Sequence, residues 1–97
     1  MYKTVATDMV LNSSIKVNYS KKYDYVDLYV INSGSVDYFQ ISDHVYVALD
    51  ENNDQIIGAK IMGFLSKFSL DELRKSDYPN LNKVIIRIYH DFVNKLY

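Results

Sequence analysis

His44 and His90 are the two side chains of this 97-residue chain whose ordinary pKa lies near neutrality, and the chain has no cysteine. Acid–base or metal chemistry would need one of them beside a nucleophile or among further ligands. His44 opens a predicted strand and His90 lies on the polar side of a predicted helix; nothing in the sequence brings either beside such a partner. Asp50, Asn52 and Asp54 have the spacing of the first ligands of a calcium loop. Gln55, however, stands where that loop needs glycine, and Ile61 where it needs a bidentate glutamate. No Gly-rich phosphate loop, HExxH, GxSxG or CxxC occurs. The sequence therefore predicts no catalytic residue, no metal ligand and no cofactor, and a protein that is not an enzyme.

Tyrosine is the residue type in excess, with ten copies and no tryptophan. A tyrosine combines a large apolar ring with a polar tip, which suits it to strands, to protein interfaces and to stacking on bases. The elements that would position these rings are legible from periodicity. Val45, Val47 and Leu49 fall on one face of an alternating run, and Ile57, Ala59 and Ile61 on one face of a second. Asp50 to Asp54 lie between them and predict a hairpin reversal of five residues. Upstream, Ile15, Val17 and Tyr19 alternate with polar residues, Lys21 and Lys22 make a turn, and the run from Tyr23 to Ile31 has Val26, Leu28 and Val30 on one face. Asn32, Ser33, Gly34 and Ser35 form a turn cluster after which Val36 to Ile41 is expected to return along the second strand, giving a meander. Gly58 inside the last strand marks a bulge or a close backbone contact.

After Gly63 the period lengthens to that of a helix. Ser69, Leu70, Asp71 and Glu72 fit a capping box, with Phe68 and Leu73 placed as a hydrophobic staple, and Tyr78-Pro79 ends that short helix. Asn80 is the expected cap of a last helix whose stripe is Leu81, Val84, Ile85, Ile88, Tyr89, Phe92, Val93 and Leu96. The expected organisation is one α+β domain over 1–97, with a short helix or arm at 1–12, an antiparallel sheet of about five strands at 14–62, and two helices at 69–97. The C-terminal helix covers a sheet face made of Ile15, Val17, Val26, Leu28, Val30, Phe39, Ile41, Val45, Val47, Leu49, Ile57, Ala59 and Ile61.

The opposite parity collects the candidate functional residues. Tyr23, Tyr25, Tyr29, Tyr38, Tyr46, Ile56 and Met62 form an expected protein interface, for a homodimer or for a small binder or inhibitor of another protein. The alternative is a single-strand or RNA-binding face, with Lys16, Lys21, Lys22 and Lys60 on phosphates and Tyr23, Tyr25 and Tyr46 as stacking platforms. Asp24, Asp27 and Asp37 lie among these lysines, and the RNP pattern is absent. Eleven basic and twelve acidic residues leave a net charge of −1, which gives no global attraction to nucleic acid or an anionic membrane. With no long apolar run, no secretion signal and no cysteine, the expected location is the cytoplasm, without a membrane partner.

The run Asp43-x-Val45-x-Val47-x-Leu49-Asp50-Glu51-Asn52, followed by Ile57-Gly58-x-x-Ile61, resembles a family of small uncharacterised bacterial domains. Their outline is a Tyr-Asp-rich strand with an Asp-x-Leu-Tyr core, then a Val-x-Leu-Asp-Glu-x-Gly-x-Ile-x-Gly-x-x-Ile hairpin. Tyr23-Asp24 and Asp27-Leu28-Tyr29 resemble the first part, one residue short in spacing, and the likeness runs from about Tyr19 to Ser66. The family's turn glycine is replaced here by Asn53-Asp54, and the helical C-terminal third lies outside the shared pattern. The resemblance implies a compact, mainly antiparallel sheet and carries no functional residue.

Overall fold

The computed structural model describes residues 6–11, 14–31, 34–74 and 76–95. Five strands form one antiparallel sheet: β1 (Ile15–Ser20), β2 (Tyr25–Val30), β3 (Val36–Gln40), β4 (Val45–Asp50) and β5 (Ile56–Met62). A 3-10 turn (Leu70–Leu73) and the helix α1 (Pro79–Lys95) follow. The α+β class, the strand count and the C-terminal helix are those the sequence predicts. The order β1-β2-β5-β4-β3 departs from a continuous meander, because β2 pairs with β5 and β3 takes the far edge. β2 and β3 are thus not the two arms of a hairpin, and Asn32 and Ser33 of the turn cluster between them lie outside the described residues. Gly34 and Val36 reach the outer face beside Tyr29 and Ile57.

The inner face carries the core. Val26, Leu28, Val45, Val47, Ala59 and Ile61 are sealed against Leu81, Ile85 and Ile88 of α1, as the two-residue and 3.6-residue periods require. Phe64, fully buried after β5, meets Tyr89 and Phe92 edge-on, each at 5.5 Å between ring centroids, and stacks on Phe68 at 6.0 Å. Residues 6–11 are an extended arm rather than a helix: Thr7 bridges to Gln55, and Met9 is buried in the core. Residues 1–5 and 12 of the expected helix or arm lie outside the described residues.

Three carboxylates place the loops. Asp24 sits in the left-handed region (φ 52°) and accepts from the Ser66 hydroxyl (2.6 Å), the Leu65 and Ser66 amides (2.9 and 3.0 Å) and the Tyr19 hydroxyl (3.0 Å). Its need for that position widens the first turn to Lys21–Asp24, so Tyr23 is a turn residue and not part of β2. Glu72 accepts from the Ser69 amide in the predicted capping box (3.2 Å) and also from the Ser42 hydroxyl (2.8 Å) and the His44 amide (3.1 Å). The box opens a single 3-10 turn and not a longer helix, while Phe68 and Leu73 are both buried, as a staple requires. Asp8 accepts from the Asn80 and Leu81 amides at 2.8 and 3.2 Å and so caps α1. Asn80, the expected cap, is instead inside the first turn behind Pro79, and its side chain donates to the Met9 carbonyl at 2.8 Å.

Burial raises the Asp24 carboxyl, but bonds from Ser66, Leu65 and Tyr19 lower it further, to below the usual carboxylate range. In Glu72 burial is likewise outweighed by bonds from His44, Ser42 and the Ser69 amide. Both folded-state values lie below the unfolded ones, so the unfolded chain binds more protons between them. The stabilisation is complete above roughly pH 4–5 and is lost as pH falls through the folded values. Urea midpoints should therefore fall between neutral pH and about pH 3, and Asp24→Asn should lose about 1–3 kcal/mol at neutral pH with a flatter acid dependence.

Gly58 confirms the expected close contact. A Cβ there would collide with the Leu28 carbonyl oxygen and lie 3.1 Å from the Tyr29 Cα. Gly58→Ala should cost about 1–3 kcal/mol in urea denaturation, whereas Gly34→Ala, with open space around it, should stay within about 0.5 kcal/mol.

Candidate protein-binding face

The candidate site is the sheet face turned away from α1. Its centre is Lys60 on β5, which pairs across the ladder with Tyr46 on β4 and with Asp27 on β2. The Lys60 ammonium lies 5.1 Å from the centroid of the Tyr25 ring and 5.6 Å from that of Tyr38, a cation held over two aromatic faces. Tyr25 pairs with Met62, and Tyr29 with Lys16 on one side and Gly58 on the other. Strand alternation thus brings Tyr25, Tyr29, Tyr38, Tyr46 and Met62 to one surface, together with Lys16, Lys60 and Asp27. Among the described residues no element covers this surface: Tyr38 is 53% exposed and Met62 37%, and Tyr25, Tyr29 and Tyr46 are half-buried by one another and by the sheet.

Two predicted members are elsewhere. Ile56 is 1% exposed and belongs to the core, because β5 contains a bulge. Ala48 pairs with Gly58 but Leu49 pairs with Ile56, so Ile57 is an extra residue. The parity of everything before it is inverted. Ile56 therefore points inward beside Leu49, and Ile57, expected inside, joins Ala48, Tyr29 and Tyr38 around an outer hollow of about 220 Å³. Simple alternation misses this exchange. The signal available in the sequence is two adjacent isoleucines followed by a strand glycine. Tyr23, the second, is 65% exposed at the end of the sheet, with the Lys22 ammonium 5.2 Å from its ring centroid.

Of the four lysines considered for phosphates, only Lys60 is brought among the tyrosines of the face centre. Lys16 lies toward the β1 edge, and Lys21 and Lys22 are in the first turn. His44 Nδ1 donates to Glu72 at 2.7 Å, which fixes the ring between the 3-10 turn and the start of β4. His90 is exposed on α1 beside Tyr89.

No described helix is long and apolar enough to cross a membrane. Comparison with protein-family models, with curated proteins and with solved structures gave no match. The inward Ile56 and the outer face can be told apart by substitution. Ile56→Ala should cost about 2–5 kcal/mol in chemical denaturation, and Tyr38→Ser less than about 1 kcal/mol.

Proposed function

We propose that this protein acts by association with protein, pairing through the outer sheet face with a second copy of itself. The observation that carries the reading is the placement of two opposite charges side by side, without an ion pair, at the centre of an aromatic surface. Asp27 and Lys60 are cross-strand neighbours, yet neither makes an ion pair among the described residues, and the lysine lies over tyrosine rings instead. A twofold axis near this point would set Asp27 of one copy against Lys60 of the other, while the tyrosines and Met62 supply matching apolar area. A face of five strands, about 20 Å wide and about 20 Å long, supports an interface at the small end of the usual range. Such a dimer dissociates on dilution. The reading places no covalent chemistry on the chain and puts its action in the cytoplasm, a location supported by the absence of cysteine.

Light scattering across a dilution series should give a molar mass that falls from twice the chain mass toward the chain mass. Tyr25→Asp or Tyr46→Asp should yield monomer at every concentration with an unchanged circular dichroism spectrum. Dimer that survives both changes would refute the face, and oligonucleotide binding at low salt that both changes remove would favour the nucleic-acid reading of the same residues.

A further inference from the structure

A second surface differs in kind from the tyrosine face. Among the described residues the sheet ends at β1 on one side and at β3 on the other. At the β3 edge, Asp37 shares its face with Phe39 and Leu49, and an inward-side charge of this sort opposes pairing with another strand. At the β1 edge, the corresponding face carries only Ile15, Val17 and Tyr19. These line or flank an open groove of about 410 Å³ whose other wall is Val84 and Ile88 of α1. Val17 is 36% exposed within it.

The main chain at that edge is in register with the groove. The Ile31 amide donates to the Ser14 carbonyl at 3.0 Å, which identifies a hydrogen-bonded pair of the β1–β2 ladder. Such pairs alternate with non-bonded ones, so Lys16, Asn18 and Ser20 direct their main-chain groups toward β2. Ile15, Val17 and Tyr19 direct theirs outward. The residues whose side chains face the groove are thus also those whose backbone can receive another strand.

Charge sets the end of the groove at which acidic residues of a partner would lie. Lys83 and Arg87, one helical turn apart, stand on the rim near Ile15, and Asp91 follows near Val17. Neither Lys83 nor Arg87 makes an ion pair among the described residues. We infer that β1 and α1 together accept an extended peptide of a partner protein, added antiparallel to β1, with alternate apolar side chains in the groove and acidic residues at its C-terminal end against Lys83 and Arg87.

The test uses the full chain and two fluorescent octapeptides that alternate valine with threonine, one ending in two glutamates and the other in two lysines. Anisotropy should show saturable binding of the glutamate peptide, with the lysine peptide about tenfold weaker. The amides of Ile15, Val17 and Tyr19 should shift and gain protection from hydrogen exchange. Lys83→Glu combined with Arg87→Glu, both changes at the exposed rim, should invert the preference. Val17→Pro removes an outward amide and should abolish binding without breaking the β1–β2 ladder, which amide spectra would verify. Absence of saturable binding, equal affinity for both peptides, or shifts centred away from β1 would overturn the inference. So would binding that Tyr46→Asp removes, because that would place the peptide on the outer face.

Discussion

The single extra residue in β5 sets the character of both sheet faces. A strand without it would hold Ile57 in the core and Ile56 on the surface; with Ile57 unpaired in the ladder, Ile56 packs beside Leu49 and the outer face gains an apolar hollow. Gly58 is coupled to the same event. It adjoins the bulge, and only a residue without a Cβ clears the Leu28 carbonyl there. Lys60 lies on the regular side of the bulge and keeps the parity that places it over Tyr25 and Tyr38.

The loops are positioned by carboxylates rather than by packing alone. Asp24 draws the segment after β5 against the first turn, which carries Phe64 into the aromatic cluster with Tyr89 and Phe92. Glu72 does the same on the β4–β3 side of the same sheet end, joining the 3-10 turn to the β3–β4 connection through Ser42 and His44. Each of these acids satisfies several donors at once, so their ionised forms belong to the folded state. His44 has its ring nitrogen Nδ1 engaged by Glu72 in this architecture.

Much of the fold is legible in the sequence because one physical rule, burial at a fixed period, governs most of it. Val26, Leu28, Val45, Val47, Ala59 and Ile61 are inside where alternation puts them, and the stripe of Leu81, Ile85 and Ile88 faces them. What escapes the rule is non-local or one residue long. Periodicity carries no term for which strand lies beside which, so the β2–β5 pairing and the place of β3 at the far edge are not visible in it. Neither is the bulge, which changes the parity of Ile56 and Ile57 without changing their type. Asp8 and Asp24 read as ordinary polar residues, since their partners lie 72 and 42 positions further along the chain. For the candidate face, alternation suffices for Tyr25, Tyr29, Tyr38, Tyr46 and Met62, and fails for Ile56 at the bulge and for Tyr23 in the turn.

The Asp8 cap also bears on how the chain acquires its structure. The amides at the head of α1 are completed by a carboxylate that precedes them by 72 residues, and the arm bearing it forms backbone bonds to Asp54 and Ile56 on the way. During ribosomal synthesis the arm emerges early and has nothing to dock on until both the central hairpin and the helix have followed it. Closing a loop of that length carries only a slowly growing entropic penalty, but it makes the contact late. The arm thus acts as a fastener that closes after assembly, bridging hairpin turn and helix head only when both are already in place.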